Sequence, residues 1–149
     1  MNKYIFKFTP GSSFFSDPIE NINVNVTHIT GFLNSGDLPL GLPLDPNARE
    51  PYLKGKNAKA ISQSLQLNDG KFHLKNKGIT ILASNFRVLE DNTYEIELAE
   101  GIDGVVDGGH TYTVLCDFIY KNDIKANQFV PVFVRVGCSQ SDLGLFATG

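Results

Sequence analysis

Polar and apolar residues alternate along much of this chain, and that period of two predicts strands. Residues 3–8 alternate and are closed by Pro10-Gly11. Ile22, Val24, Val26 and His28 alternate with Asn23, Asn25 and Thr27, which predicts a half-buried strand over 22–28. Residues 79–83 form a short unbroken apolar run, the pattern of a strand covered on both faces. Residues 86–89 and 94–98 flank Asp91-Asn92 as a hairpin, with Tyr94, Ile96 and Leu98 inward and Glu95 and Glu97 outward. Residues 104–106 predict a short strand and 129–136 a final one, with Val130, Val132, Val134 and Val136 on one face and Phe129 and Phe133 on the other.

Two segments switch to helical spacing. Over 56–67, Ala58, Ile61 and Leu65 share one face until Asn68-Asp69-Gly70 stops the helix. Behind Asp107–Thr111, a stripe of Thr111, Val114, Leu115, Phe118 and Ile119 predicts a second helix. Residues 142–147 begin another amphipathic stretch, which suggests one domain, 1–149, cut from the N-terminal or core part of something longer. Between strands, residues 31–47 carry Gly31, Gly36, Gly41, Pro39, Pro43 and Pro46, and read as a long surface loop of the kind that often carries function. The fold class is therefore α+β: a mixed sheet of about six strands packed by two to three helices.

Composition narrows this picture. A chain of 149 residues with 42% hydrophobic residues and 11 Phe has enough apolar surface for one core, which excludes disorder. No apolar run reaches the roughly 20 residues that cross a bilayer, and no signal-like segment precedes residue 8. Cys116 and Cys138 lack CxxC spacing, which argues against a disulfide scaffold or thiolate zinc site and fits a cytoplasmic protein. Cys116 reads as core rather than nucleophile.

Net charge is −3, which disfavours indiscriminate nucleic-acid binding. The charge is unevenly spread: residues 49–77 hold seven bases against two acids, and residues 90–107 hold seven acids and no base. Two solvated, mutually attracting faces account for this, and a basic patch for an anionic ligand is the sharper alternative.

Three segments carry candidate chemistry. In Val105-Val106-Asp107-Gly108-Gly109-His110-Thr111-Tyr112, two glycines between strand and helix let the backbone approach a ligand, and the helix start offers free N–H groups to an anion. His110 and Thr111 sit on the first turn, and Asp107 at the strand end is placed to orient His110 or hold a metal-bound water. An ordinary strand-to-helix turn capped by Thr111 or Asp107 is the plainer reading. In Phe72-His73-Leu74-Lys75-Asn76-Lys77-Gly78-Ile79-Thr80, Gly78 permits positive φ and Asn76 offers both a donor and an acceptor. Arg49 has the fork geometry that grips a phosphate. No pair among His28, His73 and His110 has metal-ligand spacing, and a dedicated metal site is not expected; an Asp103/Asp107/His110 arrangement is the one conceivable.

Taken together in order, Arg49, Phe72 … Asn76-Lys77-Gly78-Ile79-Thr80-Ile81 and Val106-Asp107-Gly108-Gly109-His110-Thr111 resemble the AIPR family, the bacterial abortive-infection phage-resistance proteins, over roughly residues 45–136. The last block also resembles the DGQHR signature, with Thr111 in place of its Arg, and the nucleotide-binding turn of ParB- and sulfiredoxin-like folds. The sulfiredoxin catalytic Cys has no counterpart here. The resemblance implies a cytoplasmic antiviral-defence domain whose turn docks a nucleotide or nucleic-acid phosphate. Gly108, Gly109, Thr111, Asn76, Lys77, Gly78 and Arg49 would be ligand-binding, with Lys75 adding countercharge. An enzyme alternative casts His110 and Asp107 as catalytic groups of an NTP hydrolase or nuclease, with Mg²⁺ and a nucleoside triphosphate as cofactors. A third reading is a non-catalytic scaffold for a protein partner or a second copy, with no membrane contact.

Overall fold

The computed structural model describes residues 2–44 and 55–138. Its strands divide between two sheets. β1 (Asn2–Lys7) lies beside β6 (Thr93–Leu98), which pairs in turn with β5 (Asn85–Glu90), all antiparallel. The larger sheet runs β2 (Ser13–Ser16), β3 (Thr27–Asn34), β8 (Phe129–Val136), β4 (Ile79–Ala83), β7 (Gly104–Asp107). Its one parallel pair is β4 with β8. Helix α1 (Lys56–Gln66), the single turn α2 (Phe72–Lys75) and α3 (Gly109–Tyr120) complete an α+β fold.

The alternation read from β8 sets the core. Val130, Val132, Val134 and Val136 point inward and join Ile29, Leu33, Ile79 and Ile81 with Leu65 of α1 and Val114, Leu115 and Phe118 of α3. The hairpin also folds as its pattern predicts: Tyr94, Ile96 and Leu98 are buried, and the turn closes at Asn92 with φ +64°. The chain steps from one sheet to the other at residues 8 and 9, where the Phe8 amide donates to Asn92 O and the Thr9 amide to Phe32 O, each 2.8 Å. Edge-to-face aromatic contacts fasten the step: Phe8 and Phe14 lie 5.6 and 5.9 Å from Tyr94.

The structure corrects three expectations. The strand predicted over 22–28 lies instead at Thr27–Asn34, with the buried parity on Ile29 and Leu33. The cause is local hydrogen bonding: the Asp17 carboxylate accepts from the Ile19 amide and the Asn23 side chain, and Asn25 takes φ +64°. These turns leave Ile22 and Val24 exposed.

Residues 31–34, expected in a surface loop, belong to β3. Gly31 is required there because a Cβ would stand 2.8 Å from the Phe8 ring. The rest of that segment, residues 38–44, buries Leu38 and Leu42 and runs along β7, where Pro43 O accepts from the Val105 amide at 2.8 Å. Residues 45–47 lie outside the described chain, as do Arg49 and the amphipathic stretch 142–147.

Thirdly, the acidic stretch does not pair with the basic one among the described residues. Glu95 meets Lys3 and Arg87, Glu97 meets Lys3, and Lys75 meets Asp69 within its own segment. No helix is long and apolar enough to cross a membrane among the described residues.

Candidate functional site

Three backbones stack where β4 begins and β7 ends. Gly78 (φ +86°) would place a Cβ 2.2 Å from Pro131 O, and Gly108 (φ +80°) would place one 2.2 Å from Gly78 O. Only glycine fits either position, on grounds of both φ and space. The Asn76 side chain fastens this stack. Its Oδ1 accepts from the Gly78 amide at 2.8 Å, its Nδ2 donates to Thr111 Oγ1 at 3.0 Å, and Thr111 Oγ1 donates back to Oδ1 at 3.2 Å. The two segments singled out in the sequence are therefore one structural unit.

Asp107 ends β7 opposite Thr80, and its Oδ1 accepts from the Gly108 amide at 3.0 Å. Gly108 is the residue before α3, with no side-chain cap on the helix. The first helical bond runs from the Tyr112 amide to Gly108 O at 2.9 Å, so the amides of Gly109, His110 and Thr111 precede the helical ladder. Thr111 is buried and Gly109 too, His110 is half-buried, and Lys77 and Asp107 are exposed. A groove of about 230 Å³ between α1 and α2 opens beside Asn76, lined by Ala60, Ile61, Ser64, Phe72 and Lys75.

No group of three or more His, Cys, Asp or Glu comes together among the described residues. Asp103 does not join the turn. It is buried, and its Oδ2 accepts from Ser84 Oγ at 2.5 Å and from the Ala99 amide at 2.7 Å.

Two organising residues escaped the sequence reading. The Tyr112 hydroxyl donates to Pro39 O at 2.7 Å and accepts from the Leu42 amide at 3.0 Å, which pins residues 38–44 to α3. Burial pushes its phenol above the ordinary tyrosine range, and burial likewise raises the neighbouring Cys116 thiol, which makes that cysteine a poor nucleophile. Gln128 is buried at the start of β8, donating to Leu65 O at the end of α1 and accepting from the Lys125 amide. Tyr112 lay beside the helical stripe and was detectable as an inward aromatic. Gln128 had no sequence signal.

No curated protein and no solved structure matches the chain, so the ParB- and sulfiredoxin-like expectation is without structural support. The model of one family, described as AIPR protein, matches residues 44–144, more than half of the chain and the whole of the Asn76–Thr111 unit. The chain belongs to the AIPR family, the abortive infection phage resistance proteins.

Proposed function

We propose that this chain is a binding domain of an AIPR-type phage-defence protein that docks a nucleotide or nucleic-acid phosphate at the Asp107–Thr111 turn. The observation that carries the reading is the uncapped start of α3 on a turn held rigid from behind by Asn76 and Gly78. Amides ahead of a helical ladder, at the positive end of its dipole, suit an anion. In this reading Gly108 and Gly109 admit the phosphate, and His110 and Lys77 supply side-chain contacts at the rim. Thr111, Asn76 and Gly78 keep the turn in shape. Arg49 adds countercharge from outside the described residues.

The test is a thermal-shift series with ATP, GTP and short oligonucleotides, with and without Mg²⁺, on wild type and His110→Ala. A ligand at 100 times its Kd adds about 2.7 kcal/mol to stability. A rise in Tm that His110→Ala abolishes supports the site. No shift with any ligand removes it. Metal-dependent turnover lost in His110→Ala would move the enzyme reading, with His110 and Asp107 as acid–base and metal-water groups, to first place.

The second reading, a non-catalytic scaffold, is favoured by how fully Asn76, Gly78 and Thr111 satisfy one another. Under it, Gly108→Ala disrupts folding, whereas His110→Ala leaves both folding and ligand response as they are.

A further inference from the structure

Charge is left over on two separate surfaces once the intramolecular ion pairs are drawn. Glu95 and Glu97 are taken by Lys3 and Arg87, and Asp69 by Lys75. Among the described residues, Lys56, Lys59, Lys71 and Lys77 have no acidic partner, and neither Glu90 nor Asp91 has a basic one. All six are exposed.

The basic surplus surrounds an apolar groove. Between α1 and α2, Ala60, Ile61, Ser64 and Phe72 line a cavity of about 230 Å³ together with Lys75. Lys56 lies one helical turn before Ala60, Lys59 is its neighbour in the chain, and Lys71 precedes Phe72. Lys56 and Lys59 also open α1, whose first turn holds no acid and whose start has no side-chain cap. That end of a helix carries the positive pole of its dipole, so two lysines there are mutually and locally unfavourable. A carboxylate brought from outside relieves both.

The acidic surplus sits at the tip of the β5–β6 hairpin, directly after a bulge. Val88 lies opposite Tyr94 and Glu90 opposite Thr93, so Leu89 has no partner on β6. β5 is an edge strand of its sheet. A bulge on an edge turns a side chain out of the ladder and blunts the edge against ordinary strand pairing. Leu89 is 43% exposed, and Glu90 and Asp91 follow it. The tip is an aliphatic knob followed by two carboxylates, and the groove is an aliphatic hole bordered by lysines.

We propose that these two surfaces meet between copies of the chain: Leu89 of one copy enters the α1–α2 groove of the next, and Glu90 and Asp91 face Lys56, Lys59 and Lys71. Charge complementarity selects a second copy as the occupant, because the two halves fit each other yet form no ion pair within one molecule among the described residues. Apolar burial supplies the adhesion, and the charges supply orientation and encounter rate. Groove and tip are different patches, so the contact is heterologous. It closes as a two-fold pair when both patches are used at once, and otherwise leads on to a ring or a filament. The inference does not rest on the phosphate reading, since neither half uses the Asp107–Thr111 turn.

Sedimentation velocity of the whole chain over a range of concentrations, at low and high NaCl, tests it. Wild type is expected to associate as concentration rises, and salt is expected to weaken that association. Glu90→Lys/Asp91→Lys should abolish it, as should Lys56→Glu/Lys59→Glu. Each double variant keeps one native half, so an equimolar mixture of the two should associate again. Leu89→Ala, which alters no charge, should weaken association about tenfold. An unchanged Tm verifies the fold of each variant, and if a double variant fails to fold, Leu89→Ala carries the test. Wild type that stays monomeric at every concentration overturns the inference. So does association that both double variants retain, a mixture that stays monomeric, or association that Leu89→Ala leaves unchanged. Monomeric wild type that binds an oligonucleotide, with binding lost in Lys56→Glu/Lys59→Glu, overturns it too and assigns those lysines to a nucleic acid.

Discussion

Asn76 and Thr111 exchange two hydrogen bonds across 35 positions of chain, Nδ2 to Oγ1 at 3.0 Å and Oγ1 to Oδ1 at 3.2 Å. The same Asn76 Oδ1 holds the Gly78 amide. One side chain therefore sets both the entry to β4 and the first turn of α3. Asn76→Ala leaves the Thr111 hydroxyl and the Gly78 amide without these partners, and Thr111 is buried. A destabilisation of about 1–3 kcal/mol is expected. Thr111→Val should cost less, because Asn76 keeps its bond to Gly78. Urea denaturation of both singles and the double should show strong non-additivity, since the pair acts as one unit. Additive losses would mean that the two side chains are independent.

Gly108→Ala tests the backbone stack beneath that pair. The added Cβ meets a carbonyl oxygen at 2.2 Å, and the residue sits at φ +80°. Strain of about 1–3 kcal/mol from the dihedral alone adds to the cost of separating the two backbones. Gly101→Ala is the control, because φ is +75° there but nothing lies within 4 Å. Its loss should be limited to the dihedral part. Comparing the two Tm values separates conformation from crowding.

The elements most legible in the sequence were those whose pattern was set by burial alone, on one face or, for residues 79–83, on both. Residues 56–67, 79–83, 94–98 and 129–136 all fold as their spacing predicts. The failures came where side chains bond to local backbone. Asp17 and Asn23 turn residues 17–26 against a good strand pattern, and no periodicity argument includes that competition. Gly31 and Tyr112 convert a breaker-rich segment into packed structure by contacts from Phe8 and to Pro39, both far away in sequence. At the site, the two motif blocks were visible separately. Their union through Asn76 depends on β4 and β7 being neighbours, which is a property of topology.

The Asp17–His28 contact has a defined pH signature. Hydrogen bonds from His28 first, then from Asn23 and the Ile19 amide, hold the Asp17 carboxyl down at about 2. An unperturbed Asp titrates near 3.9. A depressed folded value contributes stability that is fully present above the unfolded pKa and is lost as pH falls through the folded one. The carboxylate's contribution to the contact should therefore be lost between about pH 4 and pH 2. Carbonyl chemical shifts of Asp17 across that range report it directly. His28→Ala should move the midpoint upward, and a midpoint unchanged by that substitution would show that the histidine is not the main cause.

Tyr112 offers the sharpest test of how the segment 38–44 is held. Its hydroxyl both donates and accepts, so Tyr112→Phe leaves the Leu42 amide unsatisfied in a buried setting and frees Pro39 O. The ring itself remains to fill its space, which confines the effect to the hydroxyl. A loss of about 1–3 kcal/mol is expected. Hydrogen exchange should localise it: the Leu42 amide speeds up, together with the Val105 amide that bonds Pro43 O beside it. The Gly78 amide, bonded to Asn76 instead, should keep its protection. Faster exchange at Gly78 as well would mean that residues 38–44 and the Gly78–Gly108 stack open as one unit, and the turn would then depend on Tyr112 for its shape.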